Sequence, residues 1–294
     1  MLRALVKDLT ALPGLEVWVT RDTRLPTDLP GHRTIDIGAA QSLRAALPPL
    51  LREVEAFWPI APETDGALER LCGLASGCRL LASDHATLAL TASKFATAKH
   101  LAAQGVPSVP TWRADGVEAS STGWVAKPDD GAGCEETRRF AERHILADWL
   151  DRHRDAVVQP YLAGTAASLS LLCREGRAWL LACNRQRIAE RDGWLRYEGS
   201  DVGVLDPARF NGIAEAIAAA LPGLWGMIGV DLVDGPAGPR VLEINPRLTT
   251  SYVALGQAIG VNPAWLVLSL LERSIDEIRR PLRVTPGLVE IAHG

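Results

Sequence analysis

Hydrophobic positions in the last third of the chain alternate with single oxygen-bearing side chains. Gly229-Val230-Asp231-Leu232-Val233 and Val241-Leu242-Glu243-Ile244-Asn245-Pro246-Arg247 both read as strands, separated by the turn-rich run Asp234-Gly235-Pro236-Ala237-Gly238-Pro239. The pattern predicts two neighbouring strands with Asp231 beside Glu243. Upstream, it predicts strands over residues 16–20 and 58–62 and helices over 39–57 and 66–76, an α/β unit. Further strands are expected over 124–128, 156–159, 168–173 and 178–183, and helices over 91–104, 135–152, 207–220 and 263–279. The chain shows no internal repeat and no low-complexity tract.

Two carboxylates on adjacent strands repel each other and are costly to bury unless a cation neutralises them. All-oxygen ligation by Asp231, Glu243 and the Asn245 amide suits magnesium, which keeps several waters and shares its shell with nucleotide phosphates. Arg247 adds a fixed cation for phosphate oxygens, on the same strand face if the strand continues. The plainer alternative is a solvated hairpin whose acids face water.

Composition narrows the class. With 47% hydrophobic and 22% charged residues, the 294-residue chain can bury a core of two or three packed units. A net charge of -4 and scattered basic residues leave no footprint for nucleic acid. No apolar run approaches the roughly 20 residues of a membrane helix, and the first ten residues lack the apolar core of a signal peptide. A cytoplasmic protein with no membrane partner is expected; homo-oligomerisation is left open. Cys72, Cys78, Cys134, Cys173 and Cys183 form no Cys-x-x-Cys pair and read as reduced core or loop residues, Cys134 closing a glycine-rich loop. The six histidines have no metal-ligand spacing.

Other chemistry-bearing positions carry two readings each. Lys94 falls in the first turn of a helix, where a lone lysine is ordinarily solvated. Lys127 lies among apolar neighbours in Trp124-Val125-Ala126-Lys127-Pro128 and leads into Asp129-Asp130-Gly131-Ala132-Gly133-Cys134, whose Gly131 and Gly133 let backbone amides approach an anion. The alternative is an exposed loop with a snorkelling lysine. Arg185 and Arg187 follow a strand and either reach phosphate or an acidic substrate, or form a solvated basic turn. Glu63, Thr64 and Asp65 sit where open α/β sheets place ligand groups, although a helix cap at Thr64 or Asp65 is the simpler expectation.

In this order, Thr91-Ala92-Ser93-Lys94, Lys127 before its glycine loop, Gln159-Pro160-Tyr161-Leu162, Asp231 and Glu243-Ile244-Asn245-Pro246-Arg247 resemble the ATP-grasp superfamily. The resemblance covers residues 94–247 and implies an ATP-grasp fold of two α+β lobes. Residues 1–83 would form an N-terminal α/β pre-ATP-grasp domain, 84–159 the small lobe with a glycine-rich lid, and 160–294 the lobe with the metal site. It further implies ATP and Mg2+, with Lys94 and Lys127 on phosphates, Gly131 and Gly133 in the lid, and Gln159, Tyr161 and Leu162 at adenine. Asp231, Glu243 and Asn245 would hold magnesium, and Arg247 would stabilise the transferring phosphoryl group. Gln159 departs from the glutamate common at its position, and Thr165-Ala166-Ala167-Ser168 lacks the acid that contacts ribose. Within the superfamily, Ala61 to Asp65 and Gly105 to Trp112 are most similar to tyramine-glutamate ligases of methanofuran-type cofactor synthesis. The implied activity is ATP-dependent joining of a small-molecule carboxylate to an amine through an acylphosphate. A non-turning-over nucleotide-binding regulator, or another phosphoryl-transferring or carboxylating enzyme of the same fold, would share these residues.

Overall fold

Short parallel strand pairs flanked by helices make up the first 80 residues. Helix α1 (Leu2–Thr10) buries Leu5 and Val6, and strands β1 (Trp18–Asp22) and β2 (Arg33–Ile37) pair in parallel. Next come α2 (Leu43–Leu51), β3 (Ala56–Phe57), α3 (Ala67–Cys72) and β4 (Arg79–Leu80), with β3 parallel to β4. The structure, a computed structural model, describes residues 1–24, 29, 31–38, 42–131 and 133–291. The helix predicted over 39–57 is therefore shorter where it is described: Ser42 caps it, and it ends within a turn of Pro48 and Pro49, which lack N–H donors. Its first residues, 39–41, lie outside the described residues. The strand predicted over 58–62 is displaced to β3, because Pro59 and Pro62 cannot donate to a ladder.

The helix predicted over 91–104 forms from Lys94 to Ala103, as the second of two consecutive helices. Asp84 caps α4 (His85–Thr91) and Ser93 caps α5 (Lys94–Ala103), each accepting from a backbone N–H three residues on. Then follow β5 (Trp112–Arg113), β6 (Trp124–Pro128), β7 (Arg138–Phe140), α6 (Arg143–Leu150) and β8 (Ala156–Pro160). The helix predicted over 135–152 loses its first half to β7. Cys134 and Glu136 adopt left-handed backbone conformations that interrupt a helix, and β7 then pairs with β6.

The remaining residues form β9 (Thr165–Arg174), β10 (Arg177–Arg191), β11 (Trp194–Val202), α7 (Asn211–Ala220), β12 (Gly226–Gly235), β13 (Gly238–Asn245), α8 (Tyr252–Ile259), α9 (Pro263–Ser269), α10 (Ile275–Ile278) and β14 (Gly287–Glu290). The region read as a basic turn at 184–187 lies inside β10 and is held extended by pairing on both sides. The helix predicted over 263–279 breaks into α9 and α10, the second opened by a capping box of Ser274 and Glu277.

Among the described residues, these strands build a ten-stranded sheet in the order β13-β12-β9-β10-β11-β7-β6-β8-β5, with β14 added on β11. Its halves meet through the pairing of Trp194 with Arg138. Strand alternation sets the faces. Ile228, Val230 and Leu232 of β12 pack into a core with Phe210, Ile213 and Ile217, whereas Met227 faces the α8 and α9 side with Leu255 and Leu266. In the other half, Trp124 and Ala126 of β6 pack on Leu146 and Trp149 of α6. No helix among the described residues is long and apolar enough to cross a membrane.

Gly164 sits where the connector after β8 meets the β12–β13 hairpin. A Cβ there would lie 2.6 Å from the Asp234 backbone oxygen and 2.8 Å from Val233 Cγ1. Gly164→Ala should therefore lower stability by roughly 1–3 kcal/mol, read as a reduced midpoint in denaturant at unchanged slope.

Candidate functional site

A cavity of about 380 Å³ opens between the two halves of the sheet. Alternation explains what reaches it. In β6, Val125 and Lys127 point into the cavity while Trp124 and Ala126 stay in the core. In β12, Asp231 and Val233 point into it while Val230 and Leu232 are fully buried on the other side. Glu243 lies directly across from Asp231, as the hairpin pattern predicts. Gly131, Gln159, Tyr161 and Leu162 complete the wall from the loop and the connector.

Asp129 joins the two lysine-bearing elements. Its carboxylate accepts from Ser93 Oγ at 2.7 Å, Phe95 N at 2.9 Å and Arg113 Nη2 at 2.6 Å. Its carbonyl accepts from Lys94 N at 3.1 Å and Lys94 Nζ at 3.3 Å, and Lys94 Nζ also donates to Gly131 O. A solvated Lys94 and a snorkelling Lys127 are both overturned: their exposures are 7% and 8%. Lys94 Nζ lies 3.4 Å and Lys127 Nζ 3.9 Å from Glu243 Oε2.

The acids divide the charge unequally. Burial, reinforced by the Glu243 carboxylate, pushes Asp231 up to about 8. Burial also opposes ionisation of Glu243, but Lys94 and Lys127 together outweigh it and hold that carboxyl below the ordinary range. Burial pushes the Lys127 ammonium down, partly offset by Glu243. Asp231 accepts from Gln186 Nε2 at 2.8 Å and from Asn245 Nδ2 at 3.2 Å. Two carboxyls and the Asn245 carboxamide are a hard-oxygen donor set of the kind magnesium shares with water and phosphate. Among the described residues, no three His, Cys, Asp or Glu side chains cluster into a self-sufficient metal cage. The donor chemistry thus fits Mg2+ shared with another ligand.

The other sequence-derived candidates divide. Asn245 and Arg247 stand behind the wall rather than in it: Asn245 donates to Asp231, which lines the cavity, and Arg247 Nη2 approaches Asn245 Oδ1 at 3.4 Å. Gly133 is exposed and left-handed at φ +69° beside Cys134, whose thiol burial pushes up to about 12. Ala132 between the two loop glycines lies outside the described residues. Arg185 is exposed, and Arg187 is committed to Asp201 at 3.4 Å and to Val289 O at 2.8 Å; neither lines the cavity. The buried Gln159 gives its amide to Thr111 Oγ1 at 2.9 Å. Instead of capping a helix, Thr64 Oγ1 and Asp65 N donate to Asp130 at 3.3 and 3.0 Å.

Gln186, between Arg185 and Arg187, carries no signal of its own beyond strand alternation, which turns it to the cavity and Arg185 and Arg187 away. Glu190 has no comparable sequence signal. It lines the cavity and accepts from Arg139 Nη1 at 3.1 Å, and the Arg139 guanidinium lies 3.7 Å from the Tyr161 ring centre. Ile188, Leu195 and Leu162 surround this ion pair with apolar lining, while Lys94, Lys127, Asp231 and Glu243 make up the lysine-acid end.

A cleft with two buried lysines facing an acid pair across a split antiparallel sheet defines a class, and the sequence agrees with it. Residues 91–251 match the ATP-grasp domain and 15–88 the pre ATP-grasp 3 domain. The chain belongs to the ATP-grasp family, characteristically a family of ADP-forming ligases. It is similar to tyramine--L-glutamate ligase of Methanocaldococcus jannaschii, 29% identical over 125 residues, or 42% of this chain and 38% of that protein. The matched stretch thus spans well under half of that relative. Among solved structures, a putative ATP-grasp superfamily protein from Archaeoglobus fulgidus aligns at TM-score 0.62 and 21% identity, covering 88% of this chain and 82% of the other. The L-amino acid ligase from Bacillus licheniformis aligns at TM-score 0.72 and 17% identity, covering 91% and 70%. Both likenesses concern the fold.

The raised Asp231 has a sign that can be checked. Between about pH 4 and 8 the folded protein retains a proton that the unfolded chain releases, so its stability falls as pH rises. Asp231→Asn, always neutral, should gain on the metal-free wild type from pH 5 to pH 8 by roughly 1–4 kcal/mol in denaturant unfolding. A constant difference across that range would refute the assignment.

Proposed function

We propose that the chain is an ATP-dependent carboxylate–amine ligase releasing ADP and phosphate. The observation that carries this reading is the cavity's polarity: Lys94 and Lys127 against Asp231 and Glu243 at one end, Tyr161, Leu162, Ile188 and Leu195 at the other. The apolar end suits a base, with the connector from Gln159 to Leu162 offering backbone groups to its edge. The lysines suit the β- and γ-phosphates, and Gly131 and Gly133 form a lid over them. As part of the same reading, residues 1–83, 84–159 and 160–294 are the three structural units, and the site of action is cytoplasmic.

A carboxylate is a poor electrophile, so its oxygen first attacks the γ-phosphorus while the bond to ADP breaks. The product acylphosphate is then attacked at carbon by an amine nitrogen, which loses a proton as phosphate departs. Lys94, Lys127 and Arg247 lower the cost of the charge that gathers during phosphoryl transfer. Asp231, Glu243 and Asn245 would hold Mg2+, which supplies Lewis-acid neutralisation of phosphate oxygens when bound. The relatives named above favour an amino acid as the carboxylate, with glutamate and an arylalkyl amine such as tyramine as the first pair to try, in a cofactor-forming pathway. Their limited coverage keeps that choice a proposal.

An ADP-release screen pairing amino acids with aryl and alkyl amines tests the reading. ADP and phosphate appearing only with both substrates support ligation. Nucleotide binding without turnover across the panel would favour a regulatory nucleotide-binding protein, and ADP release with bicarbonate would favour carboxylation. Glu243→Gln should cut Mg2+-dependent ADP release by about 100-fold or more with the fold retained, as circular dichroism reports; unchanged turnover would sink the metal assignment.

A further inference from the structure

Arg247 stands just past the end of β13, and the residue that grips it comes from the other end of the chain. Glu63 is 8% exposed. Arg247 Nε donates to both of its carboxylate oxygens at 2.9 Å, and Nη2 donates to Oε2 at 2.7 Å. Arg247 Nη1 donates to Leu248 O at 3.1 Å, and Nη2 also approaches Asn245 Oδ1 at 3.4 Å. A guanidinium carries five N–H bonds. These contacts use one on Nε, two on Nη2 and one on Nη1, which leaves a single Nη1 hydrogen for a ligand.

Desolvating an ion pair lends little net stability, and an apolar pair would pin the two segments together as well. What the Glu63 pair supplies is a fixed orientation, with the guanidinium plane set against Asn245 and so against the Asp231–Glu243 pair. The two residues after Glu63 hold Asp130, next to the Asp129 carbonyl that receives Lys94. One three-residue segment therefore touches both Arg247 and the loop whose carbonyls receive Lys94.

We infer that Glu63 is a positioning residue for phosphoryl transfer, acting through Arg247. It keeps the guanidinium from collapsing onto ground-state phosphate and aims its remaining N–H at the group in transit. The inference rests on the ligase reading of the cavity, but its test does not need the acid or the amine. Preorganised charge matters most where the transferring group differs from bound nucleotide.

Calorimetric affinities for Mg2+·ADP, alone and with aluminium fluoride as a mimic of the phosphoryl group in transit, separate the two. The wild type should gain about tenfold or more from the fluoride; Glu63→Gln should keep ADP affinity within about twofold and lose most of the gain. Glu63→Asp, which retains the charge, should recover part of it and carries the comparison if the glutamine variant does not fold. Adding Glu63→Gln to Arg247→Met should cost nothing further. Equal weakening of both ligands, a full gain in Glu63→Gln, or losses that multiply in the double variant would each overturn the inference. A wild type that binds Mg2+·ADP without gaining from fluoride also overturns it while leaving the nucleotide site standing. A wild type that does not bind Mg2+·ADP defeats the ligase reading itself.

Discussion

Asp231 and Glu243 face each other on a hairpin whose reverse side is packed with Val230, Leu232 and Ile244, so neither carboxyl can turn away from the other. The surroundings settle the resulting repulsion. Asp231 keeps a proton and takes amide donors from Gln186 and Asn245, while Glu243 stays charged against Lys94 and Lys127. That second contact spans both halves of the sheet: one carboxylate on β13 draws in one lysine from α5 and another from β6. Ion pairs thus bridge the halves at both ends of the opening, Lys94 and Lys127 with Glu243 at one and Arg139 with Glu190 at the other.

How far the sequence reveals this depends on how local each determinant is. The β12–β13 hairpin is legible because its alternation and its turn lie within 17 residues, and strand β6 with Lys127 is legible for the same reason. Residues 138–140 look helical by spacing but are pulled into β7 by pairing with β6, a contact no local window contains. Residues 184–187 look like a turn because their polarity is high, yet β9 and β11 on either side keep them extended. The Arg247–Glu63 pair joins positions 184 apart, so each residue could be flagged alone but not together.

The buried state of Lys94 follows similar logic. A lysine at the first position of a helix is ordinarily free to reach water, and Ser93 caps this helix in the usual way. What changes its setting is Asp129, which sits on the same helix terminus with both carboxylate oxygens and its carbonyl engaged. The glycine-rich loop is anchored at its root by that contact and by Lys94 Nζ on Gly131 O.

Helix α1 finishes its packing against α8 and α9, far along the chain. Leu5 shares a core with Leu255 and Leu266, and Asn262 donates to the Asp8 carbonyl across 254 positions. Closing so long a loop is entropically costly until the intervening sheet has already brought the ends together. Val6 packs locally with Val17 and Val19, but the Leu5 side of α1 gains its partners only when α8 and α9 are in place. Docking of that side of α1 belongs among the late events of folding, because its contacts span most of the intervening sheet.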